Sequence, residues 1–350
     1  MKIKNQRILS LLSIYLFAML SLPTTLIGVE LAGGGASFPY PLYKKIFKVY
    51  QQETEVPITY EPKGSIRGFK GIKSQSLDFA GVDLFITDRL MNTLPHPKKL
   101  IHVPITLSAV SIPYNLPNNP KLNLTPDILA KIFLGKIINW NDDEIQDINS
   151  SLVLPNLRII PIYRRDGSGT TYILSEYLTK VNDAWKEEMG VGGKLILPTG
   201  LGVKGSKNIA KVIQQIPGSI SYISLGYALA NNLKVAAVEN QKNHFIMPDL
   251  ASISAAANVK MPDDTRIFCS NTDAEKGYPI AAFTWLICYK EQNYNGRGKD
   301  KAIALKKLLS WMITEGQSYT EPLGYARIPE AAKMKALNQI NSLTYNRNKI

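Results

Sequence analysis

The stretch Arg164-Arg165-Asp166-Gly167-Ser168-Gly169-Thr170-Thr171 joins two segments of opposite pattern. Before it, Leu157-Arg158-Ile159-Ile160-Pro161-Ile162-Tyr163 is apolar and rich in β-branched residues, the pattern of a buried strand. After it, the run Tyr172 to Val181 sets Tyr172, Ile173, Ser175, Tyr177 and Leu178 at helical spacings, which predicts an amphipathic helix. The eight residues therefore form a strand-to-helix turn. Gly167 and Gly169 let the backbone approach a ligand closely. Ser168, Thr170 and Thr171 can cap the helix or donate hydroxyls. The N–H groups of a first helical turn have no partner inside the helix and lie at its positive end. With an arginine fork beside them, these are the parts of an oxyanion site. The same residues also suit a plain capped connection, and the turn alone does not choose between the two.

At 350 residues the chain is long enough for two domains with well-buried cores. Hydrophobic residues make up 45% and charged residues 20%, which is globular and not disordered. The formal net charge of +13 favours an anionic partner, whether nucleic acid, an acidic membrane surface or a small anion. Nucleic acid is set aside because the lysines are dispersed (Lys44, Lys45, Lys48, Lys98, Lys99, Lys306, Lys307) with no aromatic-interleaved patch. The cysteines (Cys269, Cys288) and histidines (His96, His102, His244) lack zinc-site spacing, so no metal and no cofactor is expected. A hydrolase or phosphotransferase using Ser168 or Asp83 as nucleophile would need a base, and no histidine lies near the glycine turn. No catalytic residue is assigned.

Lys2, Lys4 and Arg7 precede an apolar run from Ile8 to Leu20, which Pro23-Thr24-Thr25 breaks. This is the pattern of a secretory signal peptide over residues 1–28, too short in its apolar part to span a bilayer. An exported chain places Cys269 and Cys288 in an oxidising compartment. A disulfide and two buried free thiols are both open readings, because sequence does not give the Cα separation.

Gly33-Gly34-Gly35-Ala36-Ser37 leads into a helical stripe from Leu42 to Tyr50. The glycines either offer free N–H groups at a positive helix end or form a flexible mature N-terminus. The strand Val56 to Glu61 runs into Pro62-Lys63-Gly64-Ser65, where Ser65 is placed as an N-cap and Lys63, Arg67 and Lys70 add positive potential. Leu77 to Asp83 reads as a short buried strand. Alternation puts Asp78 and Asp83 on opposite faces, which argues against a paired acid–base dyad. The strand Leu107 to Tyr114 is followed by the turn-rich Asn115 to Pro120, a candidate crossing between domains. Gly200 to Ser206 is a weak glycine-rich loop before a helix from Lys207 to Gln215 and lacks a dinucleotide fingerprint. Tyr278 to Tyr289 is a long strand and the expected second crossing. The alternation of strands and helices argues for a mostly parallel α/β sheet in each of two lobes.

Gly35-Ala36-Ser37-Phe38-Pro39, Gly64-Ser65, Asp78-Phe79 with Asp83, and Arg164-x-Asp166-Gly167-Ser168-Gly169-Thr170 occur in that order. So do Leu134-Gly135-Lys136-Ile137 with Trp140-Asn141-Asp142, Gly200-Leu201-Gly202, and Pro217-Gly218-x-Ile220-x-Tyr222. Together they resemble the periplasmic phosphate-binding proteins of bacterial phosphate ABC transporters, over nearly the whole mature chain. The resemblance implies a type II periplasmic-binding-protein fold, an α/β architecture of two lobes joined by two hinge crossings and closing on a ligand cleft. It divides the chain into residues 29–115 plus 286–350 for lobe I and residues 116–285 for lobe II. It implies a monomeric, non-enzymatic solute-binding protein of the periplasm whose partners are inorganic phosphate and an inner-membrane permease with its ATPase. It implies that Ser37, the Phe38 amide and Ser65 donate to phosphate, and that Asp83 accepts a phosphate proton. It further implies that Arg164, fixed by Asp166, pairs with the anion, and that Ser168, Gly169 and Thr170 donate from the helix start. Ile66-Arg67 departs from the small residue or glycine that often follows the serine of the second loop, and Arg67 is a possible extra contact.

Overall fold

The computed structural model describes residues 28–96 and 99–350. The signal peptide read over 1–28 lies outside these residues except for its last position. In chain order the strands are β1 Leu31–Gly35, β2 Ile58–Glu61, β3 Phe79–Val82, β4 Leu100–Ser111, β5 Pro113–Tyr114, β6 Asn123–Leu124 and β7 Ile160–Arg164. They continue as β8 Leu201–Val203, β9 Ser219–Ser221, β10 Ile223–Ser224, β11 Lys234–Val235, β12 Ala237–Glu239, β13 Phe245–Ile246 and β14 Ala281–Tyr289. Four helices carry the site: α1 Tyr40–Thr54, α2 Ser65–Lys73, α3 Gly169–Val181 and α4 Ser206–Gln215.

Two main sheets result, a six-stranded one ordered β10-β4-β14-β3-β1-β2 and a five-stranded one ordered β11-β5-β9-β7-β8. A smaller sheet, β13-β12-β6, lies beside them. The sheets are mixed, which corrects the mostly parallel arrangement expected from the sequence. β1 is parallel to β2 and β3, and β7 is parallel to β8 and β9. β14 returns between β3 and β4 and is antiparallel to both. β4 and β14 are buried at every position, so their near-continuous apolar sequence forms the centre of the larger sheet.

The passage between the sheets is a pair of bent antiparallel strands. β4 ends at Ser111 in the larger sheet and β5 begins at Pro113 in the smaller one. β9 and β10 make the reverse step around Tyr222, with Tyr114 opposite Ile220 and Ser111 opposite Ile223. The proline at 113 follows the bend, where a missing N–H is tolerated. β14 begins at Ala281 and lies entirely in the larger sheet, so this sheet takes up residues 281–285 as well as the C-terminal segment.

Gly33, Gly34 and Gly35 are not a loose linker. They are the C-terminal part of β1, with Gly33 and Gly34 paired on both edges and Gly35 paired with Gly81 of β3. A Cβ at Gly33 would fall 2.3 Å from the Phe79 ring, so only glycine lets that ring pack against the strand. The two cysteines are free and buried. Cys288 pairs with Ile101 on β14, whereas Cys269 bonds the backbone at Phe283, five positions away. At ~3.4 Å per residue that is about 17 Å, far beyond disulfide reach. Burial pushes both thiols up to about 12. Among the described residues no helix is long and apolar enough to cross a membrane.

Candidate functional site

Four glycine turns end at one place between the two main sheets. Gly35 leaves β1 with φ 121°, Gly64 precedes α2 with φ 95°, and Gly205 precedes α4 with φ 75°. All three conformations lie where L side chains are strained. The fourth turn, Gly167-Ser168-Gly169, opens α3. A Cβ at Gly64 would meet the Gly167 carbonyl at 2.0 Å, so the first and second halves of the molecule touch backbone to backbone.

Arg164 is the last residue of β7 and is 1% exposed. Asp166 grips it with two bonds, Nε to Oδ1 and Nη2 to Oδ2, each 2.7 Å. The remaining nitrogen, Nη1, donates to Ser206 Oγ at 3.0 Å and to Ser37 Oγ at 3.3 Å. Burial raises the Asp166 pKa, but the Arg164 guanidinium and the Gly205 N–H outweigh it and leave the carboxyl below its ordinary value. Arg164 is therefore a buried cation with a rigid fork aimed by its own neighbour. Its backbone N–H donates to the Tyr222 hydroxyl at 3.1 Å, and that hydroxyl also meets Thr171 Oγ1 at 2.9 Å.

Asp83 follows β3 and is 1% exposed. Ser65 Oγ donates to its Oδ2 at 3.1 Å, and Thr284 Oγ1 donates to its Oδ1 at 3.0 Å. Burial pushes the Asp83 pKa up to about 7, against the pull of those two hydroxyls and of Arg164. The start of α3 presses on this pair: a Cβ at Gly169 would lie 2.5 Å from both Asp83 Oδ2 and Ser65 Oγ. The start of α3 and the guanidinium of Arg164 thus lie against a buried carboxyl.

The structure gathers Ser37, Ser65, Asp83, Arg164, Asp166 and Gly169 into this one cluster. Phe38 is fully buried beside it, its carbonyl accepting from Ser224 Oγ at 3.0 Å and from the Tyr325 hydroxyl at 2.8 Å. Ser168 caps α3 by accepting the Thr171 N–H at 3.2 Å, while its own N–H goes to the Gly193 carbonyl at 2.7 Å. Thr170 is buried in the first turn of α3. Two details differ from the sequence reading. Gly64, not Ser65, is the N-cap of α2, because only glycine holds the φ needed there, and the Ser65 hydroxyl turns to Asp83. Arg67 is exposed, and Ile66 packs across the junction instead, with ideal Cβ positions at Gly167 and Gly193 falling 2.9 and 3.0 Å from its side chain.

Sequence reasoning missed Ser206, Tyr222 and Thr284. Ser206 had a usable signal, since Gly205-Ser206 before a helix repeats Gly64-Ser65. Thr284 had none: it is one hydroxyl in an apolar strand, 201 positions from Asp83.

The chain matches the family model of a PBP superfamily domain over residues 24–315. It is 34% identical to the phosphate-binding protein PstS of Haemophilus influenzae, over 86% of this chain and 89% of that one. It is 32% identical to PstS of Methanocaldococcus jannaschii, over 88% and 85%. A high-affinity periplasmic phosphate-binding protein solved with phosphate bound (PfluDING) aligns with a TM-score of 0.75 at 20% identity, covering 91% of this chain and 96% of that one. A phosphate-binding protein from Stenotrophomonas maltophilia aligns with a TM-score of 0.72 at 18% identity, over 91% and 96%. At those identities the two structures speak for the fold, which is that of periplasmic binding proteins. The chain belongs to the PBP superfamily and, within it, to the family of phosphate-binding proteins called PstS.

Proposed function

We propose that this protein captures one inorganic phosphate ion between its two halves and delivers it to an inner-membrane ABC permease, whose ATPase supplies the energy. The observation that carries the reading is the juxtaposition of Asp83 with the Arg164 fork and the start of α3 at Gly169. A buried oxyanion needs many donors, and the cleft offers a guanidinium, several hydroxyls and free helix-start amides. It also holds the Asp83 carboxyl, the other carboxyl of the cluster, Asp166, being taken up by Arg164. An ionised carboxylate only accepts hydrogen bonds, so it repels any anion that has no proton to give. Phosphate near neutral pH retains a proton, whereas sulfate does not. The carboxyl is thus a selectivity element, and the cation and amides supply the affinity.

In this reading Ser37, the Phe38 amide, Ser65, Ser168, Gly169 and Thr170 donate to the ion, Asp83 accepts from it, and Arg164 pairs with it under the hold of Asp166. The lobes we assign are residues 29–115 with 286–350, and residues 116–285, except that 281–285 go with the rest of β14 to the first lobe; the strand pair around Ser111–Pro113 and Ser221–Ile223 is the place where they bend. The chain works as a monomer in the periplasm after loss of its basic, apolar N-terminal segment. It binds without transforming its ligand. Its relatives named PstS support the assignment.

The test is titration calorimetry on refolded, ligand-stripped protein at pH 8. Phosphate is expected to bind at one site per chain, and sulfate at the same concentration to give no heat and no competition. Equal heats from the two anions would overturn the reading.

A further inference from the structure

The proposed function gives Asp83 the task of telling phosphate from sulfate, and one of the hydroxyls that bond this carboxyl sits at an irregularity in the pairing of β4 and β14. Their pairing runs in register from Ala281–Ala109 to Thr284–Thr106 and then slips, with Trp285 opposite Pro104. Ile105 is thereby left without a partner across the ladder, a one-residue bulge in β4. Pro104 explains the slip, since a proline cannot donate to a central ladder and is tolerated there only at a bulge. The freed Ile105 carbonyl is taken by Gln317 Nε2 at 2.8 Å. Bulges bend a strand and re-aim side chains beside functional sites. Here the side chain at the slip is Thr284, fully buried, with its hydroxyl on Asp83 Oδ1.

We propose that Thr284 is a positioning residue for anion selectivity, whose hydroxyl fixes Asp83 as an ionised acceptor while Ser65 is turned toward the bound ion. Ser65 has one proton to give. In the structure it goes to Asp83 Oδ2, while the Asp83 backbone N–H bonds the same Ser65 oxygen at 3.2 Å. When that proton is turned to an anion, Thr284 remains as the side-chain donor to the carboxyl. The other groups facing Asp83 do not substitute for it. Among the described residues, Arg164 from β7 is the cation acting on it. Tyr43 from α1, Tyr60 from β2 and Tyr325 are phenols that burial holds well above their ordinary range, so they stay neutral. A hydrogen bond to the charged form favours ionisation, so removing it makes the carboxyl a weaker acid. The protonated carboxyl becomes a donor and no longer excludes sulfate.

The inference rests on the proposed function, and one experiment separates the two. Phosphate and sulfate affinities are measured by calorimetry between pH 5.5 and 9 for the parent protein, Thr284→Val, Thr284→Ser and Thr284→Ala, with thermal melting run in parallel. In the parent the preference for phosphate over sulfate falls as pH drops through the range near 7. In Thr284→Val the midpoint of that fall moves up by about one pH unit, the change expected from losing one hydrogen bond to a charged group. Thr284→Ser keeps the parent midpoint. Thr284→Ala takes the place of Thr284→Val if the latter does not fold. A parent that prefers phosphate with an unshifted Thr284→Val or Thr284→Ala curve overturns this inference alone, as does a Thr284→Ser curve displaced as far as the valine one. A parent that does not bind phosphate overturns the proposed function and this inference with it.

Discussion

Gly169→Ala is the substitution that most sharply separates the closed cleft from the folded protein. The added methyl would sit 2.5 Å from Asp83 Oδ2, 2.5 Å from Ser65 Oγ and 2.6 Å from Asp83 Cβ. Carbon contacts are comfortable near 3.5–4.0 Å, so the two halves must part by about 1 Å. Asp83 has little room to yield because Thr284 and Ser65 hold both of its oxygens. Overpacking of this kind costs about 1–3 kcal/mol, which weakens binding by roughly 5–150-fold. The clash exists only while α3 lies on the Asp83 loop. An open, ligand-free molecule does not feel it, and alanine in the first turn of a helix is worth up to about 1 kcal/mol over glycine. The expected result is therefore two effects of opposite sign: weaker phosphate binding by calorimetry and an unchanged or higher melting temperature without ligand. A dissociation constant within twofold of the parent would refute the claim that these halves close directly on each other. So would a loss of ligand-free stability matching the loss of binding.

Asp83→Asn is expected to let sulfate compete with phosphate at pH 8, because an amide offers a donor where the carboxylate offers none. Unchanged sulfate exclusion in a competition titration would remove Asp83 from its role. The same variant changes the pH dependence of ligand-free stability. Asp83 has a folded pKa raised to about 7, so its contribution is present at low pH and lost as pH rises through that value, and the asparagine variant lacks this decline. His102 works in the opposite direction. It is buried on β4, accepts the Ile86 N–H at 2.9 Å, and burial lowers its pKa to about 3. The unfolded chain takes up that proton near its ordinary pKa of ~6.5, so stability is present above that pH and drains away as pH falls toward 3. His102→Gln, which can keep an acceptor for Ile86, is expected to flatten this acid limb in thermal melts, and an unaltered limb would show that another group causes it.

What could be read in the sequence was local. The turn from Arg164 to Thr171 announces itself because a β-branched run, two glycines and a capping hydroxyl follow one another within a few residues. Its structural counterpart is β7, the Ser168 cap and α3. Ser65 was read one position out of place as the cap, since a glycine at φ 95° leaves no mark in the sequence beyond being glycine. Strand direction was not legible either. Whether β14 runs with or against β3 depends on the path the chain takes from the smaller sheet, not on the residues of β14. The same holds for the parts of the site that come from afar. The Thr284 hydroxyl reaches Asp83 because of a register slip in a strand pair, and the closeness of Ser206 to Ser37, 169 positions apart, follows from two lobes meeting. Cys269 and Cys288 illustrate the converse: an even count and a permissive compartment left a disulfide open, and in the fold both thiols are free and buried, several residues of strand apart.

The most direct measurement is a crystal structure of the protein grown with phosphate at pH 8. The account predicts one tetrahedral ion between the two sheets, with one oxygen within hydrogen-bond distance of the Asp83 carboxyl, another on the Arg164 fork and others on the first-turn amides of α3. An ion bound away from Asp83 and Arg164, or the same pocket filled equally well by sulfate from a sulfate medium at that pH, would contradict it.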